Sequence, residues 1–164
     1  MIYRLSSLFL LLPLVLFGGC GGVKKPKGFP DLVRPVTVKV LKEGQPLNNI
    51  KVVLLPREQE LNFRVAGDTN ANGVATIQTS RNTYSQSGVP VGKYVVQLVE
   101  SIAVTDMRPF PENDAAIAAW TREYDAKLAA IRTIPAILAS ETDSPLEIEI
   151  LKSPVTLEID VAKY

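Results

Sequence analysis

The chain has 164 residues, a formal net charge of +1 and 46% hydrophobic residues, which suits one domain with a real core and no strong pull toward nucleic acid. It has no histidine and a single cysteine. A Ser-His-Asp triad and a histidine-bearing zinc site are therefore excluded.

The first stretch, 1–19, places Arg4 before an apolar run from Leu8 to Phe17 and ends in Gly18 and Gly19. That run is shorter than the ~20 apolar residues a spanning helix needs. A cation, a short apolar middle and small residues at the end make an export signal. Cys20 follows directly, and "FGGC" resembles a bacterial lipobox, whose cysteine becomes the lipidated first residue of the mature protein. The expectation is a lipid-anchored protein of the bacterial envelope. Gly21 in place of aspartate points toward the outer membrane, on its periplasmic or surface side. Lipidation at Cys20 would leave no thiol to act as a nucleophile. Without Arg4, the 18 cations fall by one and balance the 17 acids. Residues 20–34, proline-rich and basic, read as the lipidated cysteine and a flexible tether.

From residue 35 to 164 the pattern is that of one domain with apolar residues at alternate positions. Val36, Val38 and Val40 alternate with Thr37 and Lys39, as in a half-buried strand. "EGQPL" supplies a turn and "IKVVLLP" a second strand ending at Pro56. Two more strands are expected in "LNFRVAG" and "VATIQTS", joined by "TNANG". In "GKYVVQLVE" both faces are apolar, which places that strand centrally or beneath a helix. "PLEIEIL" turns Leu146, Ile148 and Ile150 inward; "PVTLEIDVA" does so with Val155, Leu157, Ile159 and Val161. About seven strands separated by turns predict a β-sandwich.

One segment breaks this rhythm. Over about 112–133, Ile117, Trp120, Tyr124, Leu128 and Ile131 recur at three-and-four spacing. The prediction is an amphipathic helix inserted before the last two strands, capped by Asn113 or Asp114, with Pro135 past its end. Its apolar stripe should pack on the sheet.

In order along the chain, "VTVKVLKEGQPLNNIKVVLLP", "AGDTNANGVATI" and "VPVGKYVVQL" resemble the successive signatures of carboxypeptidase regulatory-like, transthyretin-like domains. The closing "IPAILASETDSPLEIEI" resembles the end of a subset found as short bacterial surface lipoproteins, with Asp143 intruding before "SPL". The resemblance implies a seven-stranded Ig-like or transthyretin-like (prealbumin-like) sandwich displayed on an envelope, without catalytic activity or cofactor.

The residue types that could carry chemistry are few. Asp68, Asn70 and Asn72 sit at alternate positions before Gly73, as in the first half of a calcium loop. The twelfth position, where that loop needs a bidentate glutamate, is Thr79. Asn72-Gly73 is also a hairpin signal, so the reading is a turn and no metal site. Glu58, Glu60, Asp106, Glu112 and Asp114 lie in or beside loops, and their spacing supports no acid/base pair. Lys39 and Asp160 alternate away from the core, where an internal isopeptide bond would need them buried. Trp120 and Tyr94 read as packing residues rather than ligand contacts. The functional expectation is a non-catalytic envelope lipoprotein serving as a structural or protein-interaction module. The alternative is a surface module binding carbohydrate or calcium.

Overall fold

A computed structural model of the chain describes residues 24–57, 62–102, 104–105 and 107–164. The stretch 1–19, read above as an export signal, and Cys20 lie outside the described residues. The fold is mostly β, with 41% of the described residues in strands and 19% in helices.

The strands are β1 (Val33–Arg34), β2 (Val36–Lys42), β3 (Gln45–Pro46), β4 (Ile50–Pro56), β5 (Arg64–Asp68) and β6 (Val74–Thr76). They continue as β7 (Gln78–Arg81), β8 (Tyr84–Ser87), β9 (Val89–Pro90), β10 (Gly92–Glu100), β11 (Glu147–Ile150) and β12 (Val155–Asp160). Between β10 and β11 lie the helices α1 (Asp114–Ile131) and α2 (Ala136–Ala139). One sheet has six strands in the order β11-β10-β4-β5-β7-β8; a four-stranded sheet joins β12, β2 and β3, with β6 also on β2. β1 and β9 form a separate pair.

The two sheets share one core. The alternation expected of β2 puts Val36, Val38 and Val40 at 0% exposure, facing Ile50, Val52 and Leu54 of β4 and Tyr94, Val96 and Leu98 of β10 within the same cluster. Each such aliphatic side chain, fully buried, contributes ~1.5–3 kcal/mol relative to exposure. β10 lies between β11 and β4, and α2 packs on it through a hydrogen bond from Gln97 Nε2 to the Ala139 carbonyl at 2.8 Å. Buried Tyr94 donates its hydroxyl to the Pro90 carbonyl at 3.0 Å, and burial pushes its pKa up to about 12.

The strand expected over "VATIQTS" is interrupted. β6 pairs with β2 in one sheet and β7 pairs with β5 in the other, so the chain changes layer at fully buried Ile77. Gly67 makes the crossing possible: a Cβ there would lie 2.6 Å from the Thr76 carbonyl oxygen.

Two further segments pack differently from what their sequences suggest. The stretch 24–34, read as flexible tether, is fastened to the domain. Phe29 is 4% exposed and contacts Tyr84 edge-on, with ring centroids 4.7 Å apart, and Phe63 at 5.8 Å. Lys25 holds Asp31 at 2.5 Å, Arg81 donates to the Lys27 carbonyl, and β1 pairs with β9. A single aromatic side chain in a prepared hollow holds this collar, and no periodicity announces it.

The second concerns α1. Asn113 caps it, accepting from the Ala116 amide at 2.9 Å, and its alanines favour helix intrinsically. Yet none of its residues is buried. Its stripe is half-covered at Ile117, Trp120, Tyr124 and Leu128, while Ile131 is 50% exposed.

Candidate functional site

Strand direction gives the domain two poles. β10 runs antiparallel to β4, pairing Tyr94 with Pro56 at one end and Glu100 with Ile50 at the other. The Gly92 end carries the collar, the β7–β8 turn and the β11–β12 connection. The Glu100 end, ~27 Å away at the usual strand rise, carries the 69–73 turn and the helical insertion.

At this second pole the Glu100 carboxylate accepts from the Thr133 amide at 2.8 Å and the Ile134 amide at 3.2 Å. It thereby ties the end of the insertion to the end of β10. Between them is a cavity of about 320 Å³ lined by Val99, Ile102, Tyr124, Leu128 and Ile134 together with Glu100. Val99, Phe110, Ile131 and Ile137 add exposed apolar surface on β10, α1, α2 and the loop before α1.

Trp120 does not insert into the sheet. Its indole stacks on Tyr124, with centroids 5.3 Å apart and planes within 8°, and meets Phe110 edge-on at 5.1 Å. Its Nε1 donates to the Arg108 carbonyl at 2.9 Å. Glu123 joins the same cluster, paired with Arg108 at 3.1 Å and with Lys127 at 3.2 Å. The three rings staple the 107–113 loop to the helix rather than the helix to the core.

The calcium-like turn is organised by its own side chain. Asn70 Oδ1 accepts from the Asn72 amide at 2.9 Å and the Val74 amide at 3.1 Å, and Gly73 N donates to the Asn70 carbonyl. Gly73 has φ +72, and a Cβ there would lie 2.6 Å from the Val40 carbonyl oxygen, so the turn needs glycine. Asp68 reaches Lys51 at 4.0 Å. Asp68 and Asn70 share an open groove of about 540 Å³ with Lys51, Arg64, Gln78 and Ser80, whereas Asn72 lies outside its lining. A cation placed there would face two positive side chains. The side chain that the spacing nominates as a ligand is already engaged by backbone amides.

The other candidates fall apart from one another. Lys39 pairs with Glu158 at 3.1 Å across the parallel β2–β12 contact. Asp160 accepts from the Ala162, Glu43 and Gly44 amides, and these bonds, Ala162 first, hold its carboxyl below the usual range. Glu112 and Asp114 are exposed at the start of α1, and Glu58, Glu60 and Asp106 lie outside the described residues. Phe29, Glu100 and Phe110, which organise the two poles, are not singled out by any sequence motif.

No family model, curated protein or solved structure matches the chain.

Proposed function

We propose that the chain is a non-catalytic lipoprotein of a bacterial envelope, anchored through Cys20, whose β domain is a structural or protein-interaction module. Its fold would be a variant of the carboxypeptidase regulatory-like, transthyretin-like sandwich. One observation carries the reading: the collar leading back to Cys20 leaves from one pole, and the helical insertion with its exposed apolar residues occupies the other. Such an arrangement turns the variable surface away from the membrane, toward an envelope protein partner. The sides of edge strands β8 and β11 that are unpaired among the described residues offer a second route, by strand addition.

The test has two parts. Intact mass of the membrane-extracted protein should show a chain beginning at Cys20 with acyl groups, absent from Cys20→Ser. A photo-crosslinking residue at Phe110 should capture a reproducible envelope protein, and one at Asn82 should not. Equal capture at the two positions, or an unacylated chain, sinks the reading.

A second reading, a carbohydrate-binding module, draws on the ring cluster of Phe110, Trp120 and Tyr124, in which Phe110 is 64% exposed. A glycan array run with Phe110→Ala as control separates it from the first. For calcium binding, a rise in Tm at millimolar calcium would be required, and the engagement of Asn70 argues for none.

A further inference from the structure

The pole that carries the collar also carries exposed apolar side chains. Leu32 is 52% exposed, Val91 49% and Leu151 57%. The sheet registers bring them to one place. Val33 pairs with Pro90 and Gly92 pairs with Ile150. Leu32, Val91 and Leu151 each stand one residue beyond those pairs, on three adjacent segments at the end of the strands.

Four lysines lie on the segments that lead into this end of the domain. Lys24, Lys27, Lys93 and Lys152 are exposed, and none of them is ion-paired among the described residues. The acids at the same end are mostly engaged: Asp31 with Lys25 and Glu147 with Arg57, while Glu149 stands opposite Lys93 in the β10–β11 register. Glu58 and Glu60 lie outside the described residues.

Exposed aliphatic side chains set among exposed lysines suit the boundary between anionic headgroups and acyl chains. A protein interface of the ordinary kind is depleted in lysine. The chain itself points the same way. Only four peptide steps separate Cys20 from Lys24, a reach of at most ~14 Å.

The geometry points to a lipid-contacting seat: Leu32, Val91 and Leu151 dip into the headgroup region of an anionic bilayer, with Lys24, Lys27, Lys93 and Lys152 against the phosphates. The domain then stands upright on the membrane instead of swinging from a tether. This deepens the anchoring reading above and rests on it only for how the domain is delivered to the surface.

Hydrogen exchange of the full chain tests the seat. The protein is compared in detergent, on vesicles of phosphatidylethanolamine with phosphatidylglycerol, and on phosphatidylcholine vesicles. On the anionic vesicles, peptides covering 30–34, 88–93 and 150–154 should slow by about threefold or more, and those covering 69–73 and 136–143 should not. The triple variant Leu32→Ser, Val91→Ser, Leu151→Ser, altered only at exposed positions, should lose the slowing while keeping its Tm. A smaller effect on phosphatidylcholine would assign part of the contact to the lysines and also support the seat. Uniform exchange at the two poles, slowing confined to the far pole, or slowing that survives the triple variant overturns it. Intact mass of the same sample reports separately whether Cys20 is acylated, so failure of the anchor and failure of the seat are read apart.

Discussion

The collar at 24–34 and helix α1 reverse what their sequences suggest. The collar is short, basic and proline-rich, yet Phe29 is 4% exposed and its backbone joins a strand pair. The helix is long, regular and striped, yet none of its 18 residues is buried. Periodicity describes which face of an element is apolar; it does not say whether a surface is available to receive that face. The sheets leave a hollow beside Phe63 and Tyr84 that one aromatic ring fills. They offer α1 only the end of β10.

Phe29→Ala should therefore produce the largest effect, a loss of about 3 kcal/mol in unfolding free energy, because it empties a buried aromatic site. Denaturant melts would measure it, and hydrogen exchange should show the 24–34 amides opening with it. A loss no greater than that of an exposed substitution would erase the contrast with the helix. Asn113→Ala removes the α1 cap and should cost about 1 kcal/mol of helix stability. Near-ultraviolet dichroism of Trp120 should fade at lower temperature than the β signal, since the helix is not held by the core. A single coincident transition would show instead that helix and sheets melt as one unit.

Ile131→Ser, at a residue 50% exposed, should change the global unfolding free energy by no more than about 0.5 kcal/mol, against the stripe reading in which it is a packed residue. The smallest effect concerns acid. Lys25, by hydrogen bond and then by charge, holds the Asp31 carboxyl below its ordinary value. A depressed folded value means the contribution is complete above the ordinary carboxylate pKa and is lost as pH falls through the lowered one. Protection at 26–31, taken relative to the intrinsic exchange rate at each pH, should fall in that acid window in the wild type and stay level there in Asp31→Asn.

Much of the framework is legible in the sequence, and the reasons for the exceptions are physical. Val36, Val38 and Val40 and the glutamate-spaced β11 declare themselves because burial there repeats every second residue, and "GKYVVQLVE" does so because it is apolar on both faces. β8 reads "YSQS", too polar for any apolar alternation, and α2 has four residues, too few to display a helical period. The break at Ile77 depends on Gly67 lying across from it in space, which no local pattern contains. At the candidate site, Asn72-Gly73 correctly marks a turn, but the part played by Asn70 Oδ1 follows from loop geometry. The poles follow from strand direction, so neither the insertion at one end nor Leu32, Val91 and Leu151 at the other can be assigned before the topology is known.

The parallel contact of β12 with β2 has a consequence for how the molecule is made. Lys39 and Glu158, which meet across it, are 119 residues apart. A polypeptide delivered amino end first must keep Val36, Val38 and Val40 without a completed sheet until almost all of it has emerged. Pairings of such long range form slowly, and incomplete sheets are prone to associate with one another. Closing the β2–β12 contact is thus a late step, and the interval before it is when a holding chaperone would matter most.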